Sequence, residues 1–111
     1  MDARIAKWLF DIQAAIEEID QYFEIYEKSF ASFRGNTILK RAIERNLEII
    51  GEAMRRILTR DPYFPIEDAH RIEGLRNQII HAYDAISDEN IWAIIINHLP
   101  KLKATIKSIL A

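Results

Sequence analysis

Cysteine is absent, which excludes disulfides, thiolate metal sites and cysteine nucleophiles and fits a reducing interior. Glycine and proline number three each, too few for a loop-rich β architecture. Long hydrophobic runs are missing too. The longest strictly apolar stretch, Ile91 to Ile96, is six residues, whereas a bilayer span needs about 20. The N-terminus, Met1-Asp2-Ala3-Arg4 followed by a mixed amphipathic pattern, does not have the form of a signal peptide. A cytoplasmic location without membrane association is expected. No glycine-rich phosphate loop or serine-nucleophile motif occurs, and the acids of the first helix show no paired or Glu-x-x-His metal spacing, so neither a metal nor a cofactor is expected.

What is present is ordinary globular material. The 111 residues fit one domain, 1–111, half of them hydrophobic and 29% charged. The net charge of −2 is unevenly spread: residues 1–33 carry −4, 34–60 carry +4, 61–91 carry −5 and 92–111 carry +3. A basic second segment can attract phosphates, although the overall balance is no nucleic-acid signature. Solvated helix faces account for the same pattern.

Helical periodicity runs through the chain. Ile5, Leu9, Ile12, Ile16, Ile19, Phe23, Tyr26 and Phe30 recur in alternating steps of four and three, one stripe with the spacing of bundle packing. The spacing predicts a first helix of about 28 residues, about 42 Å long, ended by Arg34-Gly35-Asn36. Asn36 or Thr37 can cap a second helix, whose stripe is Leu39, Ile43, Leu47, Ile50, Met54 and Ile57. Gly51 in its middle costs about 1 kcal/mol against Ala, so a neighbouring helix is expected to approach closely there. Asp61 to Pro65 breaks the chain. A third helix is expected from near Glu67 to Tyr83-Asp84, with Ile72, Leu75 and Ile79 inward. Ser87 caps a fourth, and Pro100 predicts a kink or break inside it. The expected fold is an all-α antiparallel bundle of four to five helices. Trp8 and Trp92 fall on or beside the apolar stripes, as core or interface packing. His70 and His98 are isolated and expected at the surface.

The third helix also carries chemistry. At about 100° per residue, Arg76, Tyr83, Ile80, Asn77 and His81 fan across one sector, away from the core stripe. An imidazole can exchange a proton near neutral pH. A guanidinium can hold a phosphate and stabilise added charge. Asn77 is placed at i,i+4 spacing to orient the His81 ring. Arg76 and His81 diverge by about 140° on the helix, so a two-fold pair of such helices is expected to complete the site. Taken on its own, an Arg and a His five apart also fit an incidental surface pattern.

The run Arg76-Asn77-Gln78-Ile79-Ile80-His81-Ala82-Tyr83 resembles the R-x4-H-x-Y motif of HepT-like proteins in the HEPN superfamily. Ile50-Gly51-Glu52-Ala53 is similar to the I-G-E-A segment of that family's second helix. The resemblance covers nearly the whole chain in length and helix order. It implies a HEPN-like bundle that dimerises near the third helix. It also implies a metal-independent endoribonuclease acting as the toxin of a toxin–antitoxin pair, with RNA as substrate and a 2′,3′-cyclic phosphate product. The implied partner is a minimal nucleotidyltransferase of the MntA type, which transfers AMP to the motif tyrosine. Carried onto this sequence, Arg76 and His81 are catalytic, Asn77 supports them and Tyr83 is the AMPylation site. The alternative is a non-catalytic nucleotide- or partner-binding module that pairs with the nucleotidyltransferase.

Overall fold

Asp2 starts the first helix by accepting hydrogen bonds from the backbone N–H groups of Arg4 and Ile5. Helix α1 then runs Ala3–Ile25. In this computed structural model, which describes residues 1–81 and 87–111 and only the backbone of His81, the further segments are as follows. They are α2 (Phe30–Arg34), α3 (Thr37–Arg60), α4 (Ala69–Glu73), α5 (Leu75–His81), α6 (Asp88–Ala93), a π-helical turn (Ile94–His98) and α7 (Leu99–Leu110). No strand occurs among the described residues, and the all-α bundle expected from the periodicity is the observed architecture.

Helix α3 is the hub, packing against α1, α2, α4 and α5. Its stripe of Ile43, Leu47, Ile50, Met54 and Ile57 is fully buried. It faces Leu9, Ile12, Ile16 and Ile19 of α1, which are buried to the same degree. The two helices run antiparallel: Arg60 Nε lies 2.7 Å from the Asp2 carboxylate at one end, and Tyr22 donates to Asn46 Oδ1 further along. The Arg60 contact and the capped N–H groups hold the Asp2 carboxyl below the ordinary carboxylate range. Asn46 is a buried polar residue of this core. Its amide donates to the Ala15 carbonyl at 3.0 Å and to Glu18 at 2.8 Å, so the polar group is paired on both sides.

Two boundaries differ from the sequence expectation. Helix α1 stops at Ile25 and not near Arg34; Tyr26 is extended, and Ser29 caps the separate α2 by accepting from Ser32 N. Helix α3 has 24 residues, so a much longer α1 would overhang its partner with nothing to bury against. Phe30 and Phe33 instead turn to enclose Trp92, whose ring also meets Phe23 edge-on at 5.8 Å. The expected third helix is broken at Gly74 into α4 and α5.

The last helix starts at Ser87 as expected, with the Ser87 hydroxyl accepting from Asn90 N. Its irregularity comes before Pro100, as the π-helical turn. Proline has no N–H for an α-type bond and its ring crowds the carbonyl four residues back. The widened turn accommodates both, and α7 begins with Pro100 in its first turn.

Candidate active site

Gly51 decides where Arg76 sits. A Cβ on Gly51 would lie 2.8 Å from Arg76 N, 3.2 Å from Arg76 Cβ and 3.3 Å from the Ile72 carbonyl. The α4–α5 junction therefore rests directly on the backbone of α3, and only a residue without a side chain allows that approach. This is the close contact that a glycine inside a helix implied. From there α5 shows two faces. Leu75 and Ile79 are buried against α3, whereas Asn77 and Ile80 are exposed and Arg76 is half-buried.

The residue after Gly51 completes the arrangement. Glu52 Oε2 lies 3.2 Å from Arg76 Nε. Its other oxygen, Oε1, accepts a hydrogen bond from Arg56 Nε at 3.3 Å, and the Arg55 guanidinium lies 3.9 Å from Oε2. One carboxylate thus serves three guanidiniums. Glu52 Oε2 is itself buried and has no aligned hydrogen bond, so the Arg76 contact is an ion pair by distance, without a donor aimed at the oxygen. Such a contact holds the guanidinium nearby by charge and leaves its N–H donors unused. Arg76 keeps donors for a phosphate, which a guanidinium fork binds bidentately.

Of the residues singled out from sequence, Arg76 and Asn77 stand side by side on the first turn of α5. His81 is the last residue of that helix. The expected role of the His81 imidazole, and Tyr83 altogether, lie outside the described residues. Glu52 was legible only as part of the I-G-E-A resemblance, and its contact with Arg76 was not foreseen. A usable signal existed: an acid adjacent to a helix-interior glycine sits beside whatever that glycine lets approach. His70 is exposed as expected, but His98 is half-buried. It lines a cavity of about 400 Å3 on the far side of α5, between Leu75 and Gln78 on one wall and Leu99 and Leu102 on the other. Arg76 does not border that cavity. It borders a smaller groove of about 240 Å3 on the opposite side of α5. Among the described residues no three His, Asp or Glu side chains gather in the manner of a metal site.

A family model for HepT-like ribonucleases matches residues 12–109. The chain belongs to the HepT-like ribonuclease family. Named relatives agree. A candidate RNase of Caldanaerobacter subterraneus is 34% identical over 84 residues, 74% of this chain and 74% of its own length. A candidate RNase of Methanocaldococcus jannaschii is 30% identical over 105 residues, covering 93% and 94%. A protein named "Probable ribonuclease HepT" from Thermococcus cleftensis is 32% identical over 100 residues, covering 86% of each. No solved structure matches the chain. Within this HepT-like frame, Arg76 and His81 fall on α5, the helix that Gly51 and Glu52 position. No helix among the described residues is long and apolar enough to cross a membrane.

Proposed function

We propose that this HepT-like chain is a cytoplasmic endoribonuclease toxin, organised as one domain over residues 1–111, that cuts RNA without a metal ion. The observation that carries the reading is Arg76. It is half-exposed at the edge of a groove, ion-paired to Glu52 on one side and open on the other. It stands in the family's motif, five residues before His81. In the proposed reaction His81 takes the proton of a ribose 2′-OH. The 2′ oxygen attacks the adjacent phosphorus, and the P–O5′ bond breaks. Arg76 holds the phosphoryl oxygens as charge accumulates on them. The products are a 2′,3′-cyclic phosphate and a 5′-OH end, the proton for the leaving oxygen coming from the imidazolium of a second copy. Two copies are invoked because Arg76 and His81 diverge on one helix and are aimed poorly at a single phosphorus atom.

The test is cleavage of single-stranded RNA by the purified chain in EDTA. Wild type is expected to cut, and Arg76→Ala and His81→Ala are each expected to lose at least a hundredfold in rate with unchanged helix content. Retained cleavage in either variant, or loss of wild-type cleavage in EDTA, overturns the mechanism.

The proposed partner is an MntA-type nucleotidyltransferase antitoxin that transfers AMP to Tyr83. The added phosphate and purine would compete with RNA for Arg76, since guanidinium–phosphate contacts are strong and bidentate. Tyr83→Phe is expected to stay active in the presence of the partner and ATP, while wild type is silenced and gains one AMP by mass spectrometry. Silencing of Tyr83→Phe through AMP on another residue contradicts the assignment.

A further inference from the structure

Helix α5 separates two spaces. The groove beside Arg76 lies on one side, and the cavity of about 400 Å3 that His98 lines lies on the other. That cavity exists because two parts of the bundle stop short of each other. Helices α4 and α5 rest on α3, while the π-helical turn and α7 form the opposite wall. Among the described residues, no Cα of α4 or α5 comes within 8 Å of the π-helical turn or of α7. The volume falls within the range of about 300–1,000 Å3 in which small-molecule sites lie.

The lining has an apolar body and a polar mouth. Ile50 of α3, Leu75 of α5, and Leu99 and Leu102 of the opposite wall are buried side chains that border the space. Half-buried Ile72 and Ile94 extend the same surface. The charged lining residues, Glu67, Asp68, Arg71 and Lys101, are all exposed. They are two acids and two bases, so a net charge on an occupant meets as much repulsion as attraction. Deeper in, a charge would lose its hydration against aliphatic side chains. Both facts select an uncharged molecule. Half-buried His98 supplies a hydrogen-bonding ring in the wall. Among the described residues it joins no group of three metal-ligating side chains, so its ring is free to meet an organic ligand.

Two irregularities of the backbone fall on this same cavity. Asp68, at its mouth, has φ 60°, in the left-handed region that residues with a Cβ rarely adopt. Its side chain makes no capping bond to α4, so capping does not account for the conformation. On the opposite wall, the π-helical turn that accommodates Pro100 carries Ile94 and His98 to the lining. Both kinds of irregularity recur at functional sites. We propose that this cavity is a binding site for an uncharged, mostly apolar small molecule, its body between Leu75 and Leu102 and one hydrogen-bonding group at His98. The site is separate from the groove of Arg76, and the inference does not depend on RNA cleavage.

The test uses N-phenylnaphthylamine, which is uncharged, carries one N–H donor and brightens in apolar surroundings. Anilinonaphthalene sulfonate adds a charge to the same rings. The neutral probe is expected to bind one site per chain, to raise the melting temperature, and to bind about tenfold more tightly than the sulfonate. Ala93 is a half-buried lining residue. Ala93→Phe is expected to fill the space and weaken the neutral probe about tenfold, helix content unchanged. Thr105→Phe, on the same lining, repeats the test should the first variant fail to fold. His98→Leu is expected to weaken the probe about threefold, the worth of one hydrogen bond. Ile80→Glu, which alters only the groove beside Arg76, is expected to leave probe binding unchanged. Absence of a fluorescence rise, equal affinity for the sulfonate, or undiminished binding in the folded filling variants overturns the proposal. So does loss of the probe as rising protein concentration drives assembly in light scattering, since the cavity is then a contact between copies.

Discussion

Glu52 holds the Arg76 guanidinium from one side at 3.2 Å while sharing its charge with Arg55 and Arg56. A phosphate approaching Arg76 meets a guanidinium already held near the groove by charge, so less side-chain freedom is lost on binding. Glu52→Gln keeps the shape and removes the charge. Its expected effect is a fall of about tenfold in kcat, with KM for short RNA unchanged or lowered because the neighbouring arginines are released to bind phosphate. Steady-state kinetics on one defined oligonucleotide checks this. An equal rise in KM with kcat intact would show that Glu52 serves binding alone. Glu52→Asp is expected to recover part of the rate, since it restores the carboxylate one carbon further back.

The element that matters most is α5, seven residues long and held from below by α3. Gly51→Ala tests that support. Alanine gains about 1 kcal/mol of helix propensity, but its Cβ would stand 2.8 Å from the Arg76 backbone nitrogen. Overpacking of this kind costs about 1–3 kcal/mol. The contact is with backbone, which cannot rotate away, so the steric term is expected to win. The outcome is a net loss of about 1 kcal/mol in urea unfolding and a loss of cleavage far larger than that stability change, because the shift is delivered at Arg76. A variant more stable than wild type and fully active would show that α5 can yield without consequence.

Across the whole molecule, exposed apolar side chains bear on assembly. Ile80, beside Arg76, is 38% exposed, and Phe10 on α1 is 55% exposed. If two copies complete the site through α5, Ile80→Glu places charge at the joint. Light scattering at micromolar concentration is expected to give a dimer for wild type and a monomer for Ile80→Glu. Cleavage should be lost in the monomer although Arg76 and His81 are intact. A fully active monomer would remove the need for a second copy.

Periodicity alone was enough for much of this architecture. The three–four spacing from Ile5 to Phe23, the stripe from Leu39 to Ile57, the Asn36 and Ser87 caps and the interruption near Pro100 are local features. Each depends on residues within a few turns, and a chain that repeats them has few other ways to bury its apolar atoms. The motif from Arg76 to Tyr83 was likewise readable as a string. What the string could not contain was pairing between segments distant in sequence. The end of α1 at Ile25 depends on the length of α3 and on Phe30 and Phe33 finding Trp92. The buried Asn46 is tolerable only because Ala15 and Glu18 arrive to accept its amide hydrogens. The break at Gly74, the rest of Arg76 on Gly51 and the shared carboxylate of Glu52 arise where α3 meets α4 and α5. Helix periodicity records which side of a segment faces inward. It does not record which segment it faces, and the placement of Arg76 is decided by that second relation.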